Sequence, residues 1–185
     1  ELHQDDVRPA RLVANPGCYP TSAILAMAPV VQQGIIEPDV IIDSKSGVSG
    51  GGRTLNMTNH FSEANENVFA YGLSGHRHLP EITQELGALT QEHLSITFVT
   101  HLIPMTRGIL STCYSRSRPS RLEEGEAGAK QLREIYQDFY AGHPFVRVTS
   151  QPPQTKQTLG NNMCLLYPTL DRRTGRVVVV SCLAN

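Results

Sequence analysis

Residues 95–115, SITFVTHLIPMTRGILSTCYS, give the clearest structural signal in the chain. Residues 95–103 and 109–115 are rich in β-branched and aromatic side chains, which is typical of strands. Residues 104–108 between them hold a proline and a glycine, the usual residues of a turn. The pattern predicts two strands that pair antiparallel across this turn.

On either side of this stretch, similar patterns predict three more strands and three helices. The strands are 39–43, 163–169 and 176–183, and the helices are 20–33, 80–89 and 123–140. Pro29 predicts a kink or an early end in the first helix, because proline removes a helical hydrogen bond. The Asn-rich residues 54–75 predict an ordered excursion on the surface. Together these elements predict one α+β domain over residues 1–185, with helices packed on a mixed, largely antiparallel sheet.

Composition excludes several classes of function. The 185 residues are 39% apolar and 18% charged with a net charge of −1, so we expect neither a nucleic-acid partner nor a membrane partner. No apolar stretch approaches the ~20 residues that span a bilayer. The four cysteines include no CxxC pair, which argues against a disulfide framework and against a metal site of the zinc type. Free thiols indicate a reducing, cytoplasmic location.

Cys18 lies in the motif NPGCYPT, residues 15–21, where a turn leads into the first long helix. The free N–H groups and the positive dipole end of a helix N-terminus stabilise a thiolate, which is the form of cysteine that attacks acyl carbons. The same N–H groups suit the oxyanion of a tetrahedral intermediate. The same local sequence is also compatible with a buried cysteine that has only a structural role, so the residues alone leave both interpretations open. Cys113, Cys164 and Cys182 lie in apolar strands and are interpreted as structural.

Three further motifs carry polar chemistry. The loop SKSGVSGGGR, residues 44–53, allows close backbone approach to a ligand, although a flexible connector has a similar composition. His76, Arg77 and His78 precede a helix and suit proton transfer and anion binding, although a solvated turn is the commoner case. Arg107 stands at the predicted turn, where it is either a clamp for carboxylate or phosphate or an ordinary surface arginine.

In this order, NPGCYPT, SGVSGGGR, GHRHLPEI and PMTRGIL resemble the N-acetyl-gamma-glutamyl-phosphate reductase family from about residue 12 to the end. The resemblance implies the catalytic and dimerisation half of such an enzyme, with a fold like that of the C-terminal domain of glyceraldehyde-3-phosphate dehydrogenase. It implies a thioester on the enzyme, NADPH as reductant, an acyl-phosphate substrate of arginine synthesis, and a homodimer or homotetramer in the cytoplasm.

The resemblance also implies roles for individual residues. Cys18 becomes the nucleophile and His76 the acid/base, while His78, Arg77 and Arg107 bind the substrate. The cofactor-binding residues, at the nicotinamide end of NADP, are Gly47, Ser49, Gly50 and Asn185.

The glycine-rich dinucleotide fingerprint of that family is absent here, and the chain opens at Glu1 without an initiator methionine. We therefore expect a piece of a longer protein that is folded and dimeric, yet nearly inactive in NADPH-dependent reduction. Three alternatives stay open. They are a reductase of carrier-linked aminoadipyl phosphate in lysine synthesis, an aspartate-semialdehyde dehydrogenase, and a non-catalytic dimerisation module.

Overall fold

The computed structural model describes all 185 residues as one seven-stranded sheet with helices packed against it. The helices are α1 (Gln4–Val7), α2 (Cys18–Gln32), α3 (Phe61–Ala64), α4 (Leu79–Gly87) and α5 (Gly125–Phe139). The strands are β1 (Ile36–Ser46), β2 (Phe69–Tyr71), β3 (Ser95–Leu102), β4 (Ile109–Ser117), β5 (Val146–Val148), β6 (Cys164–Asp171) and β7 (Arg176–Leu183). Their order is β2-β3-β1-β4-β7-β6-β5. Only the β1–β3 and β5–β6 pairs are parallel, so the predicted α+β class and the mixed, largely antiparallel sheet are confirmed.

The predicted pairing of the two strands in residues 95–115 is wrong, because β1 lies between β3 and β4. β1 is parallel to β3 and antiparallel to β4. The connecting residues 104–108 pass over the end of β1, where the N–H groups of Gly47, Val48 and Ser49 donate to the carbonyls of Gly108, Met105 and Thr106. The sequence showed only residues 39–43 of β1, since charged side chains interrupt the rest of this central strand.

Helix α2 runs through Pro29 without ending early, so the predicted early end is wrong. Pro29 has no N–H to donate to the carbonyl of Leu25, four residues earlier. The hydroxyl of Tyr140 donates to that carbonyl instead, at 2.6 Å. The neighbouring Tyr136 hydroxyl donates in the same way to the carbonyl of Ala26. A proline in the last turn of this buried helix is therefore tolerated because Tyr140, at the end of α5, supplies the missing donor.

The two faces of the sheet differ. One face packs on α2, α4 and α5 and forms a core of 29 buried residues. The opposite face presents half-buried side chains at alternating positions of β1, β4 and β7, among them Ile41, Tyr114, Val178 and Val180. The segment near Pro153 covers one corner of this opposite face, where its carbonyl accepts from Cys182. We call this opposite side of the sheet the open face.

Four buried serine hydroxyls hold α2 on the core face. Ser22 of α2 lies 2.9 Å from both Ser111 of β4 and Ser181 of β7, and Ser111 lies 2.7 Å from Ser44 of β1. All four side chains are fully buried. Buried hydroxyls are costly unless they pair. The chain of serines therefore fixes how α2 sits on three strands, one turn beyond Cys18.

Candidate active site

Cys18 is the first residue of α2, and Gly17 in extended backbone is the N-cap. The first turn is held by Thr21, whose N–H and hydroxyl both donate to the carbonyl of Gly17 at 2.9 Å. Pro20 has no N–H, so the amides of Cys18 and Tyr19 are the donors left at this helix end. The N–H of Gly17 donates to the carboxylate of Glu81 at 3.0 Å, which fixes the entry of the chain into the helix.

A pocket of about 280 Å³ opens beside this helix end. Of the residues predicted from sequence, it brings together Cys18, His76, Arg77, His78 and Gly50. They come from the start of α2, the loop before α4 and the loop after β1. The pocket therefore joins a thiol, two imidazoles, a cation and a glycine backbone that are up to 60 residues apart in sequence.

His76 is held on several sides. Its Nδ1 accepts the backbone N–H of His78 at 3.1 Å, so a neutral ring carries its proton on Nε2. Tyr19, Tyr71 and Phe98 all pack edge-on against the ring, with centroids 5.4–5.6 Å away. Burial, followed by the neighbouring His78 and Arg77, lowers the pKa of His76 below its usual value. The neutral form with Nε2–H is the one favoured near neutral pH.

His78 lies against the N-cap of α2. A Cβ added to Gly17 would stand 2.7 Å from Nε2 of His78, so glycine at this position allows the imidazole to pack on the residue before Cys18. Nδ1 of His78 is buried and has no hydrogen-bond partner. Burial, with a further contribution from Arg77, lowers the pKa of His78 as well. Its Nε2 lies against Gly17, the residue before Cys18, and both His78 and Cys18 line the same pocket.

The remaining predicted residues lie next to the pocket and do not line it. Arg107 is exposed at its turn, Ser49 is exposed, and Gly47 is buried beneath the 104–108 connection. Asn185 packs behind Gly50, whose added Cβ would stand 2.7 Å from the amide nitrogen. These four residues form a second group, which meets the pocket at Ser46 and Gly50.

Sequence reasoning missed several residues that line the pocket. Tyr19 and Tyr71 meet through their hydroxyls at 3.0 Å, and burial followed by this hydrogen bond raises the pKa of Tyr19. Asn56, Thr58 and Asn59 come from the excursion that was predicted only as ordered surface. Tyr19 follows Cys18 in the NPGCYPT motif, so its place at the site could have been predicted from the sequence. Tyr71 could not, since only the pairing of β2 with β3 brings it to the site.

The other three cysteines are enclosed in strands. Burial raises the pKa of Cys113, Cys164 and Cys182 to about 12, and no disulfide links any of the four. The structure holds no group of three His, Cys, Asp or Glu side chains arranged to bind a metal ion. None of its helices combines the length and hydropathy required to traverse a bilayer.

Known proteins match both the sequence and the fold. The family model described as semialdehyde dehydrogenase, dimerisation domain, matches residues 18–185. N-acetyl-gamma-glutamyl-phosphate reductases of Pelotomaculum thermopropionicum and Moorella thermoacetica are 52% and 50% identical over the whole chain, which covers 52% and 53% of those relatives. The chain thus spans about half the length of the curated relatives it matches, and these names confirm the resemblance seen in the motifs.

Solved structures share the architecture at much lower identity. Aspartate semialdehyde dehydrogenase II from Vibrio cholerae aligns with a TM-score of 0.66 at 13% identity, over 98% of this chain and 59% of that chain. A probable aspartate-semialdehyde dehydrogenase from Pseudomonas aeruginosa aligns with a TM-score of 0.64 at 13% identity, over 97% and 60%. At this identity the likeness establishes the fold, which is the predicted one.

Proposed function

The chain belongs to the family of semialdehyde dehydrogenase dimerisation domains, and we propose that it carries the acyl-transfer chemistry of an N-acetyl-gamma-glutamyl-phosphate reductase. The reaction is the NADPH-dependent reduction of N-acetylglutamyl 5-phosphate to the 5-semialdehyde and phosphate, in arginine synthesis. One observation carries the proposal: Cys18 opens a helix in the same pocket as His76 and His78. Relatives that are 52% and 50% identical are named as reductases of this substrate, which favours it over aspartyl phosphate and carrier-linked aminoadipyl phosphate. Four free thiols fit a cytoplasmic enzyme.

Cys18 is the nucleophile in this proposal. Its thiolate attacks the acyl carbon, a carbon–sulfur bond forms, and the bond to the phosphate oxygen breaks with release of inorganic phosphate. The free amides of Cys18 and Tyr19 at the start of α2 are the donors available to the oxyanion that develops on the acyl group. Arg77 at the pocket and Arg107 at its turn supply positive charge for the phosphate and the carboxylate of the substrate.

The two histidines divide the proton transfers. Because Nδ1 of His76 accepts a backbone N–H, its Nε2–H is a donor suited to the acyl oxygen and to protonating the reduced product. Nε2 of His78, packed on Gly17, is the nitrogen suited to take the thiol proton of Cys18. The family resemblance implies the acid/base role for His76 and a substrate contact for His78, and the position of His78 against Gly17 favours a share of the proton transfer for it.

The cofactor fits this chain at one end only. Gly50 lines the pocket and Ser49 is exposed beside it, which leaves the backbone open to a nicotinamide ring, while buried Gly47 shapes the loop from below. NADPH would supply the hydride that reduces the thioester. A pocket of about 280 Å³ is smaller than a dinucleotide needs, so most of its contacts fall outside this pocket.

The direct test of this proposal needs no NADPH. The chain is mixed with N-acetylglutamyl phosphate, and phosphate release is measured together with the intact mass and the modified peptide. We expect one phosphate and one acyl group per chain, with the thioester on Cys18, and weaker acylation by aspartyl phosphate. Phosphate release without a thioester, or a label on another residue, would refute the proposal.

We place the proposed homodimer, or a tetramer of two such dimers, on the open face. The half-buried Ile41, Tyr114, Val178 and Val180 lie side by side across β1, β4 and β7, and no helix covers them. Asp43 on the same face is paired with Lys45, which compensates its charge, and it also contacts His101. A face of this kind suits a second copy of the chain, because in a dimer with a two-fold axis the same surface of both copies forms the interface.

Sedimentation tests the interface. Val180→Asp puts a charge into the centre of the open face and should convert dimer to monomer, while Lys130→Asp on the exposed side of α5 should leave the dimer intact. If the Val180→Asp chain stays folded and dimeric, the dimer interface does not lie on the open face.

A further inference from the structure

We infer that Asn185 is a positioning residue, which ties the glycine loop of the pocket to the turn that carries Arg107. Its Oδ1 accepts from the N–H of Gly108 at 2.7 Å and from the hydroxyl of Ser49 at 3.2 Å. Its Nδ2 donates to the hydroxyl of Ser46 at 2.9 Å and to the carbonyl of Gly47 at 3.1 Å. One amide therefore joins the end of β7 to the end of β1 and the start of β4.

These four hydrogen bonds use the whole capacity of a carboxamide, which has two acceptor sites and two donor hydrogens. The orientation of the amide is fixed as well, since the N–H of Gly108 can only donate and the carbonyl of Gly47 can only accept. A hydrogen bond from Asn185 to a cofactor would require one of these four to break. The geometry therefore favours a role through neighbouring residues over direct contact with the nicotinamide.

The tie reaches the pocket by two routes. Ser46 and Gly50 line the pocket, and both touch the amide of Asn185. Gly108 follows Arg107 directly, so the bond to its N–H fixes the backbone from which the guanidinium extends. Gly47 packs against the same turn so closely that an added Cβ would stand 2.7 Å from the carbonyl oxygen of Met105. A small shift of Asn185 would therefore move the pocket wall and Arg107 together.

Part of this inference rests on the proposed function, because the role of Arg107 as an anion contact comes from it. The tie itself is independent of any chemistry and has its own readout. Loss of the side chain should loosen residues 47–50 and 105–108, and amide hydrogen exchange reports such local opening.

Two variants and a matched control test the inference. Asn185→Ala removes all four bonds and should speed exchange in both segments. Asn185→Asp keeps the acceptor for Gly108 and Ser49 and loses the donors to Ser46 and Gly47, so it should speed exchange mainly at residues 47–50. Asp171→Ala is the control. Asp171 ties the turn at the opposite end of β7, accepting from the N–H of Arg173 and the hydroxyl of Thr174, and its loss should leave both segments unchanged.

The consequence for chemistry is read from Cys18 acylation by N-acetylglutamyl phosphate. The KM used here is the acyl phosphate concentration that gives half the maximal single-turnover rate of acylation. Asn185→Ala should raise this KM for the anionic acyl phosphate roughly tenfold, the scale expected when a positioned contact shifts by a fraction of an ångström. Alkylation of Cys18 by uncharged iodoacetamide should stay within about twofold of wild type, since it needs no anion contact.

The possible results distinguish a failure of the Asn185 inference from a failure of the proposed function. Unchanged exchange in both segments would overturn the tie, and faster exchange with an unchanged KM would overturn the positioning role. A wild-type chain that is not acylated at all would refute the proposed function, while the exchange data would still decide the tie.

Discussion

The first turn of α2 and the strands behind it hold the same side chain in opposite surroundings. Cys18 lies half-buried at a helix start, beside two imidazoles and at the wall of a pocket. Cys113, Cys164 and Cys182 are enclosed in the sheet, where burial raises each thiol pKa to about 12. The four thiols therefore differ in where the fold places them: Cys18 is at the wall of a pocket, and the other three are within the sheet.

Removing the thiol of Cys18 should have the largest effect. Cys18→Ala should abolish acylation by N-acetylglutamyl phosphate, because burial raises the pKa of the other three thiols to about 12 and none of them lines the pocket. Intact mass and circular dichroism check the loss of label and the retained fold. Cys182→Ala is the matched control and should be acylated like wild type; a Cys18→Ala chain that still takes up the acyl group would break the contrast.

The histidines come next. His78→Ala and His76→Ala should each slow acylation by ~10²–10⁴, the usual scale for loss of a general acid or base. We expect the greater loss for His78, since its Nε2 packs on Gly17 next to the thiol. Single-turnover phosphate release measures both rates, with the exposed His93→Ala as control. A much greater loss for His76 would return the base role to that residue.

The pH dependence should show a smaller effect. The pKa values of His76 and His78 are both lowered, so their neutral forms persist as pH falls below the usual histidine pKa of about 6.5. The rate of acylation should therefore stay constant just below that pH and fall only at still lower pH. Arg77→Ala removes a positive neighbour and should move the decline to higher pH.

The same shifts affect stability. The unfolded chain takes up protons on these histidines that the folded chain takes up only at lower pH. The free energy of unfolding should accordingly decrease as pH falls through and below about 6.5. Urea titrations at a series of pH values check this sign, and a maximum of stability at acid pH would contradict it.

Removing a hydroxyl from the buried serines beneath the start of α2 should have the smallest effect on the acylation of Cys18. Ser22→Ala leaves Ser111 and Ser181 buried with a lost partner and should lower the free energy of unfolding by about 1–3 kcal/mol. The acylation rate should change little, because the helix start keeps Gly17, Glu81 and His78. Denaturant unfolding measures the loss, and Ser62→Ala in the exposed excursion serves as the control.

Much of the fold could be predicted from local pattern, and the failures have identifiable causes. The last two strands and the helices α4 and α5 were found within one or two residues, since their apolar periodicity is uninterrupted. β1 was seen only in its middle, because Asp43 and Lys45 face the open side of the sheet. Its position between β3 and β4 depends on contacts of residues 47–49 with residues 105–108, which no local pattern contains.

The site was predictable where a motif keeps its residues together. The start of α2 and the loop with His76, Arg77 and His78 each fall within a few residues, and the pocket joins them. Tyr71 and Asn59 lie in a segment with no clear period, so nothing in the sequence pointed to them. Asn185 was identified by resemblance as a cofactor residue, and only the hydrogen bonds of the folded chain show what its amide contacts.

Competitive alkylation distinguishes a nucleophilic Cys18 from the three cysteines in the strands. The native chain is treated with limiting iodoacetamide at neutral pH, quenched over time, and each of the four cysteines is quantified by peptide mass spectrometry. Cys18 should be labelled well before Cys113, Cys164 and Cys182, and prior treatment with N-acetylglutamyl phosphate should protect it alone. Equal labelling of all four cysteines in the folded chain would contradict the account and favour a non-catalytic dimerisation module.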